Sequence, residues 1–552
     1  MARQSTTPVS FNRTTRRDRV VGMTSGRAGV VVPIDFIPLL RGDSCAGQFN
    51  ISMELGEMPK PLLNAVGVNL QAWFVPKSAY PYFSGYDEFM YSYQKEDINS
   101  LDGVRTPPEF FRTMPSNLGT FQNSDMMIKL GLHDQTVEGD VLNGDLFDAY
   151  NLIWNFRAGA HSSKIERASY FNEPNADRPA NRAWQALKPA FWPSGRMNFV
   201  VPDYERALVV GALDLDVQAG SLKVRMGDTM GGVEGASNLG VYSDPNDPDG
   251  DTKDMIVASI SDSVNKQLWA DLQNETLPVS LAEIDKARLT QSFAKRRAQM
   301  AGNDYSGFDP DDVIVAELMQ GFSVPRELFQ RPWLLDSKRL TFGMMERFAT
   351  DAANLDQSVS VGKTGGSLSL NVPVQDTGGY IMITCEVLPE KLNERMGEPT
   401  LYLNDPDMYP NALRDIQRPE PVDYVPNWRI DARHTSPDAL YGYEPMNGVW
   451  ERDFTRLGGD FYQPDPSVPF KESRAGIWTP NIVDPTLNDD HWLAPDPFPH
   501  DVFSDTVAEA FEIAFSHSVA INGITQIGDV LVENNDDYEA VASEVDSNVS
   551  EE

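Results

Sequence analysis

The sequence predicts a mainly β protein, an antiparallel sandwich or barrel with long, partly helical insertions between its strands. Several stretches alternate apolar and polar residues with the period of two that a half-buried strand requires. The 39 prolines and 40 glycines are spread along the 552-residue chain, which disfavours long helices. Because the strand-like stretches are scattered along the chain, one sheet system interrupted by insertions is favoured over a string of small domains.

The predicted strands carry apolar residues at every second position and are separated by turn-forming residues. Asp376 to Gly379 predicts a turn, as does Arg41-Gly42-Asp43, and Asn522-Gly523 is the dipeptide that best specifies a two-residue hairpin. The predicted strands cover residues 47–55, 66–75, 367–374, 379–388 and 511–519.

Helices are predicted mainly inside the insertions. Ser280 and Glu283 form a capping box that opens a helix to about Met300, and residues 311–321 show apolar positions at helical spacing. Residues 226–266 lack a strand signal and are rich in Gly, Asp, Asn and Pro. They predict an excursion that leaves the barrel and lies exposed.

The two ends of the chain differ sharply in charge. Residues 1–30 contain six arginines and one acid, whereas residues 533–552 contain eight acids and no base. We therefore expect a basic N-terminal arm (1–30), a single body (31–532) with insertions at about 77–200, 226–340 and 390–505, and an acidic tail (533–552).

The basic arm supplies the candidate nucleic-acid-binding residues. Its arginines lie among Ser, Thr and Asn without hydrophobic periodicity, which predicts a flexible segment that contacts phosphates without reading base sequence. An arm that ties subunits together is the alternative, and the sequence favours the two equally. The candidate residues are Arg3, Arg13, Arg16, Arg17 and Arg19.

Composition argues against several other functions. A net charge of −35 disfavours a chain that coats nucleic acid by itself. Cys45 and Cys385 are too few for a disulfide framework or a thiolate zinc site, and both are expected to be buried. Phosphate-loop, nucleophile-elbow and helical metal-pair motifs are incomplete, so no catalytic, cofactor or metal residue is predicted. His517 continues an apolar strand face and predicts a core histidine. No signal peptide or membrane partner is expected.

Several segments, in this order, are similar to the major capsid proteins of Microviridae, the small single-stranded DNA phages, and especially to the gokushovirus-like branch. The resemblance fades over residues 226–266 and much of 404–500. The matching segments are Phe74-Val75-Pro76 with Phe89-Met90, Ala149-Tyr-Asn-Leu-Ile-Trp-Asn155, Phe191-Trp192-Pro193, Leu268-Trp-Ala-Asp-Leu272 and Gln330-Arg-Pro332.

This resemblance implies an eight-stranded antiparallel jelly roll that self-assembles into a T=1 icosahedral shell around circular single-stranded DNA. It implies a structural protein of the virion, present in the host cytoplasm during assembly, with no enzymatic activity or cofactor. The implied partners are further copies of the chain, the genome, a small basic DNA-binding virion protein, a pilot protein and a host surface receptor that meets residues 226–266. The alternative is a carbohydrate-binding or carbohydrate-acting jelly-roll protein, since a fold alone does not decide function.

Overall fold

The computed structural model divides the chain into two units, Met1–Tyr204 with Met300–Glu552, and Glu205–Gln299. The structure describes residues 12–83, 85–94, 98–100, 103–105, 112–115, 124–132, 141–162, 164–171, 173, 179–193, 200–202, 223–227, 239–243, 255–259, 267–271, 331–347, 359–392, 395–415, 422–451, 456–462, 474 and 476–528. Arg3, the predicted helices at 280–300 and 311–321, and the acidic tail lie outside these residues.

Most regular structure in the described residues is β-strand. In chain order the strands are β1 (Thr14–Gly26), β2 (Val30–Leu39), β3 (Ser44–Leu55), β4 (Val66–Pro76), β5 (Ile98–Ser100), β6 (Gly103–Arg105), β7 (Thr113–Pro115), β8 (Val141–Asn143), β9 (Lys188–Pro189), β10 (Lys223–Gly227), β11 (Leu239–Ser243), β12 (Met255–Ser259), β13 (Gln267–Asp271), β14 (Trp333–Thr341), β15 (Gly343–Arg347), β16 (Val359–Val372), β17 (Gly379–Pro389), β18 (Val422–Pro426), β19 (Leu440–Pro445) and β20 (Phe511–Gly523).

The helices of the described residues are short, apart from α3. They are α1 (Tyr86–Gln94), α2 (Asp125–Lys129), α3 (Asp145–His161), α4 (Asn427–Ile430) and α5 (Asp489–Trp492), with 3-10 turns at Lys77–Ala79, Ala180–Arg182, Pro399–Leu401, Pro406–Met408, Asn411–Arg414, Gly448–Trp450 and Gly459–Phe461.

Two five-stranded antiparallel sheets form the main unit, and their facing sides enclose its core. One has the strand order β1-β20-β3-β16-β15 and the other β14-β4-β17-β2-β9. Cys385 of the second sheet lies 4.0 Å, sulfur to sulfur, from Met53 of the first, in the apolar layer between them. The predicted mainly β, antiparallel sandwich is therefore confirmed, as is the burial of both cysteines.

The first sheet, which we call the open sheet, has one buried and one exposed face. Along β3 the apolar residues Phe49, Ile51 and Met53 are buried, while the polar residues between them are exposed. The same alternation runs along β20. These are two of the strands that the period of two predicted, at residues 47–55 and 511–519.

The second sheet, which we call the covered sheet, is buried on both faces along much of its length. In β17 every residue from Ile381 to Pro389 is buried. The outward side of this sheet meets α3, whose Tyr150 hydroxyl donates to the Val31 carbonyl at 2.7 Å and whose Arg157 pairs with Glu386. The insertion between β4 and β14 therefore supplies a third layer over the sandwich.

The prediction of a flexible basic arm is wrong over residues 14–26. These residues form β1 and pair in register with β20 over their whole length. Hydrophobic periodicity is missing from β1 because aromatic rings of β20 fill the space on its inward side. A Cβ atom added at Gly22 would lie 2.2 Å from the Phe515 ring, so only glycine fits there. Of the other inward positions, Gly26 also faces an aromatic ring, Val20 is apolar and 39% exposed, and the rest are polar with polar partners.

Asn522 and Gly523 were predicted as a hairpin turn, and this is also wrong. Both residues lie in β20, opposite Thr15 and Thr14 of β1. The glycine serves a close approach instead, because a Cβ atom at position 523 would lie 1.7 Å from Asp43 Oδ1. The predicted turns at 41–43 and 376–379 are confirmed, with positive φ at Gly42, Gly378 and Gly379.

In the unit Glu205–Gln299 the structure describes two antiparallel strand pairs, β10 with β13 and β11 with β12. The predicted lack of strands over residues 226–266 is therefore wrong, because β11 and β12 lie inside that range. Each of these strands has only five residues, too few for alternation to stand out from the Gly-rich and Asp-rich sequence around them.

Candidate functional site

The predicted arginines of β1 divide into two sets with different surroundings. Arg13 and Arg16 are used inside the subunit. Arg13 donates to the carbonyl oxygens of Gly42 and Asn522, and Arg16 pairs with Asp43, whose side chain is fully buried. These contacts fasten the first residues of β1 to the turn before β3 and to the end of β20.

Asp43 explains why this corner needs particular residues. Its carboxylate accepts from the Leu40 backbone N–H at 2.7 Å as well as from Arg16. The missing side chain of Gly523 leaves room for it. A buried carboxylate requires such donors, because burial without them costs several kcal/mol.

Arg17 and Arg19 lie on the outward face of the open sheet. Both are exposed, and the described residues include no ion-pair partner for either. Val21 and Met23 continue the same face of the strand and are 69% and 84% exposed. The outward face of β1 therefore combines two unpaired cations with two exposed apolar side chains.

Small polar side chains cover the rest of this face. Charge is sparse on it: Glu512 is exposed, and Glu54 pairs with Lys363 at 2.9 Å. Hydroxyl and amide groups of this kind can donate and accept hydrogen bonds without the repulsion that the chain's acidic surface would exert on phosphate. The face is formed by Ala514, Ser516, Ser518 and Ala520 of β20, Ala46, Gln48, Asn50 and Ser52 of β3, and Gly365, Ser367, Ser369 and Asn371 of β16.

Asp18, between the two outward arginines, points to the other side of β1 and meets His517. The imidazole is buried, with Asp18 Oδ1 3.4 Å from Nε2 and Asp35 of β2 bonded to Nδ1. Burial lowers the pKa of His517, but the hydrogen bond and charge of Asp35, together with Asp18, outweigh burial and raise that pKa. The predicted core histidine is confirmed, and it links β1, β20 and the covered sheet.

The densest buried group of titratable side chains lies elsewhere, where α3 begins. Lys77 and Tyr82 both bond the carboxylate of Asp145. Asp148, one turn later, accepts from the Phe171 backbone N–H at 2.6 Å, and burial raises its pKa to about 7. Sequence reasoning missed this cluster. The acids Asp145 and Asp148, in the first turn of a helix, were the available signal.

Asp145 and Asp148 have the side chains of an acid/base pair but not the access. Their residues are 1% and 0% exposed, and Lys77 is 5% exposed. A substrate would have to displace the Lys77–Asp145 ion pair to reach them. The cluster therefore joins the insertion to the sandwich, a structural role in which each charged group needs its partner.

Comparison with known proteins adds no relative. No protein-family model matches the chain, and no curated protein matches it.

In the part of the chain that the structure describes, no group of three or more His, Cys, Asp or Glu side chains could hold a metal ion. None of its described helices is both long and apolar enough to span a membrane.

Proposed function

We propose that this chain is a major capsid protein of the Microviridae type, which self-assembles into a T=1 icosahedral shell around circular single-stranded DNA. The observation that carries the proposal is the order of strands in the two sheets. The sequence resemblance supports it independently, since the matching segments occur in order along most of the chain.

We propose an eight-stranded jelly roll as the fold, and the order of the strands in the two sheets supports it. Setting aside the short edge strands β9 and β15, eight strands remain, and we number them 1 to 8 along the chain. The open sheet then has the order 1-8-3-6 and the covered sheet 5-4-7-2. Two sheets that share consecutive strands in this way are expected for the two Greek keys of a jelly roll, a fold common among viral capsid proteins.

The insertions supply the surface that a shell would need. Between β17 and β20 the described residues expose several large apolar side chains on short 3-10 turns. Exposed apolar surface of this extent commonly marks a protein–protein contact. The residues are Leu401, Tyr402, Met408, Tyr409, Leu413 and Trp450. We propose that neighbouring subunits bury them.

Charge dictates what else the particle must contain. Subunits of net charge −35 repel one another and repel DNA. A small basic virion protein and divalent cations would offset that repulsion, so packaging requires the former and assembly improves with the latter. Arg17 and Arg19 contribute positive charge on the open sheet, and a pilot protein completes the particle.

Residues 226–266, which include β11 and β12, are the proposed contact with a host surface receptor. Replacing residues 244–251 with a Gly-Ser linker keeps β11 and β12 in the chain. Normal particles that no longer adsorb to host cells would support the receptor role, whereas unchanged infectivity would contradict it.

Negative-stain imaging of the purified full-length chain tests the central proposal. We expect closed shells of uniform size, more abundant at moderate salt or with added Mg²⁺, and protection of circular single-stranded DNA from nuclease when a basic peptide is added. A monomer that never assembles but binds polysaccharide would favour the carbohydrate alternative.

A further inference from the structure

The free edge of β1 differs from the other edges of the two sheets. β9 has two residues, β15 has five, and β14 is interrupted by an irregularity between Leu334 and Asp336. β14 also approaches the open sheet, where Asp336 accepts from the Ser369 backbone N–H at 2.8 Å. β1 is regular over 13 residues and, within the described part of the chain, pairs only with β20.

A long regular edge strand presents a row of unpaired backbone N–H and C=O groups, and proteins usually protect it. In β1 the charged side chains that can protect an edge are confined to one half of the strand. Arg17 and Arg19 lie in the N-terminal half, while the C-terminal half exposes Val21 and Met23, with Val20 at the centre 39% exposed. In a second, antiparallel copy of this strand, the charged half would therefore lie against the apolar half of the first copy.

We propose that β1 pairs with β1 of a second copy of this chain, antiparallel and about a two-fold axis at Val20, which joins two open sheets into one. This inference rests on the proposed function only in that a shell supplies the second copy. A two-fold axis perpendicular to the sheet keeps each side chain on its own face, so the axis must lie between a residue and the same residue of the second copy.

Charge selects which residue that is. An axis at Arg17, Asp18 or Arg19 would set like charges directly opposite each other, which is destabilising. An axis at Val20 sets Arg17 opposite Met23 of the partner subunit and Arg19 opposite Val21 of the partner subunit. The aliphatic stems of the arginines can then cover the exposed apolar side chains while the guanidinium groups stay in solvent.

The inward side of the strand fits the same register. With the axis at Val20, Asp18 lies opposite Gly22 of the partner subunit, so no second charge faces the Asp18–His517 contact. Val20 is also the midpoint of β1, which makes this the one register that pairs the strand over its full length. Helix α2 touches the end of the strand through Thr24, which donates to the Lys129 carbonyl at 2.8 Å.

Disulfide trapping in the assembled full-length protein tests the register. Arg17→Cys and Met23→Cys place thiols at exposed positions, and the two native cysteines are buried. In either variant alone, equivalent thiols of the two copies lie six residues apart along the strand, about 20 Å, and cannot bond. When the two variants are mixed before assembly, Arg17→Cys faces Met23→Cys, and we expect cross-linked dimer to rise at least about tenfold over either variant alone.

Val21→Lys is designed to disrupt the pairing between the two copies of β1. Ser518→Cys, which lies on the same face but on β20, is the matched cross-linking control. Lys in an edge strand should reduce the mixed cross-link about tenfold without unfolding the subunit, because Val21 is largely exposed. Shells that form without the mixed cross-link would overturn the inference and leave the proposed function standing. In that outcome residues 1–11, residues 529–552 or another protein would cover the edge of β1. Cross-linked dimers without shells would support the pairing and contradict the proposed function.

Discussion

The open and covered sheets belong to one sandwich but differ in what each strand residue must do. On the open sheet a strand such as β20 buries alternate residues and leaves the others in solvent. On the covered sheet a strand such as β17 is buried on both sides, since α3 lies over it. The difference teaches that, among the described residues, the insertions are part of the core over the covered sheet and leave much of the outward face of the open sheet exposed.

Each sheet should therefore respond differently to substitution. On the open sheet only the inward half of the sequence is constrained by packing, which leaves the outward half free for small polar residues and for the arginines of β1. On the covered sheet the outward half carries buried charges, and these are tolerated only because the insertion supplies partners such as Arg157 for Glu386.

The largest effect is expected where α3 covers the sheet. Trp154→Ala removes a fully buried ring and the Nε1 donor to the Pro189 carbonyl, at 2.9 Å. We expect the free energy of unfolding to fall by about 3–5 kcal/mol, measured by denaturant titration. Ser518→Ala on the outward face of β20 is the control and should change stability by less than about 0.5 kcal/mol. Similar losses from both variants would refute the difference between the sheets.

The next effect tests the buried charge of the covered sheet. Arg157→Met leaves the Glu386 carboxylate, 3% exposed, with only the amide of Asn69 as a donor. We expect a loss of about 3 kcal/mol, because an unpaired buried charge is costly. The double variant with Glu386→Gln should recover part of that loss in the same titration. No recovery would mean that Arg157 acts through packing alone.

Sequence predicted the strands whose inward residues are apolar, β3, β4, β16, β17 and β20. It could not predict β1, whose inward positions are glycine, paired polar residues and the single apolar Val20, or β2, where Val30 to Ile34 is buried on both faces and no alternation remains. Candidate arginines were found by charge alone. Their division into inward and outward sets depends on which neighbour each one meets, such as Asp43, and no local pattern carries that information.

A third effect depends on pH and concerns the cluster under α3. Because burial raises the pKa of Asp148 to about 7, the folded state holds a proton there that the unfolded state releases near pH 4. Stability from this group is therefore lost as pH rises from about 4 to 7. Asp148→Asn keeps the acceptor for the Phe171 N–H. The free energy of unfolding that the variant gains over the native protein should be larger at pH 8 than at pH 4, by at least about 2 kcal/mol. An equal gain at both pH values would contradict the titration.

A smaller pH effect is expected on the open sheet. His517 has a raised pKa, so the stability from its contacts with Asp35 and Asp18 is fully present below about pH 6.5 and is lost as pH rises through the folded pKa. We expect the protection of backbone amides in residues 14–26, expressed relative to the intrinsic exchange rate at each pH, to fall between pH 6 and pH 9. His517→Gln should make that protection insensitive to pH over this window, whereas Asp148→Asn should not alter it.

The smallest effect on stability should accompany the largest effect on DNA content. Arg17→Gln with Arg19→Gln removes two charges that have no ion-pair partner among the described residues, so unfolding should change by less than about 0.5 kcal/mol. Arg13→Gln with Arg16→Gln removes the same charge but strands the buried Asp43, and should cost about 1–3 kcal/mol. If outward arginines meet phosphate, only the first pair lowers the ratio of DNA to protein in shells of normal appearance. Equal DNA loss from both pairs would show that net charge, rather than position on β1, governs packaging.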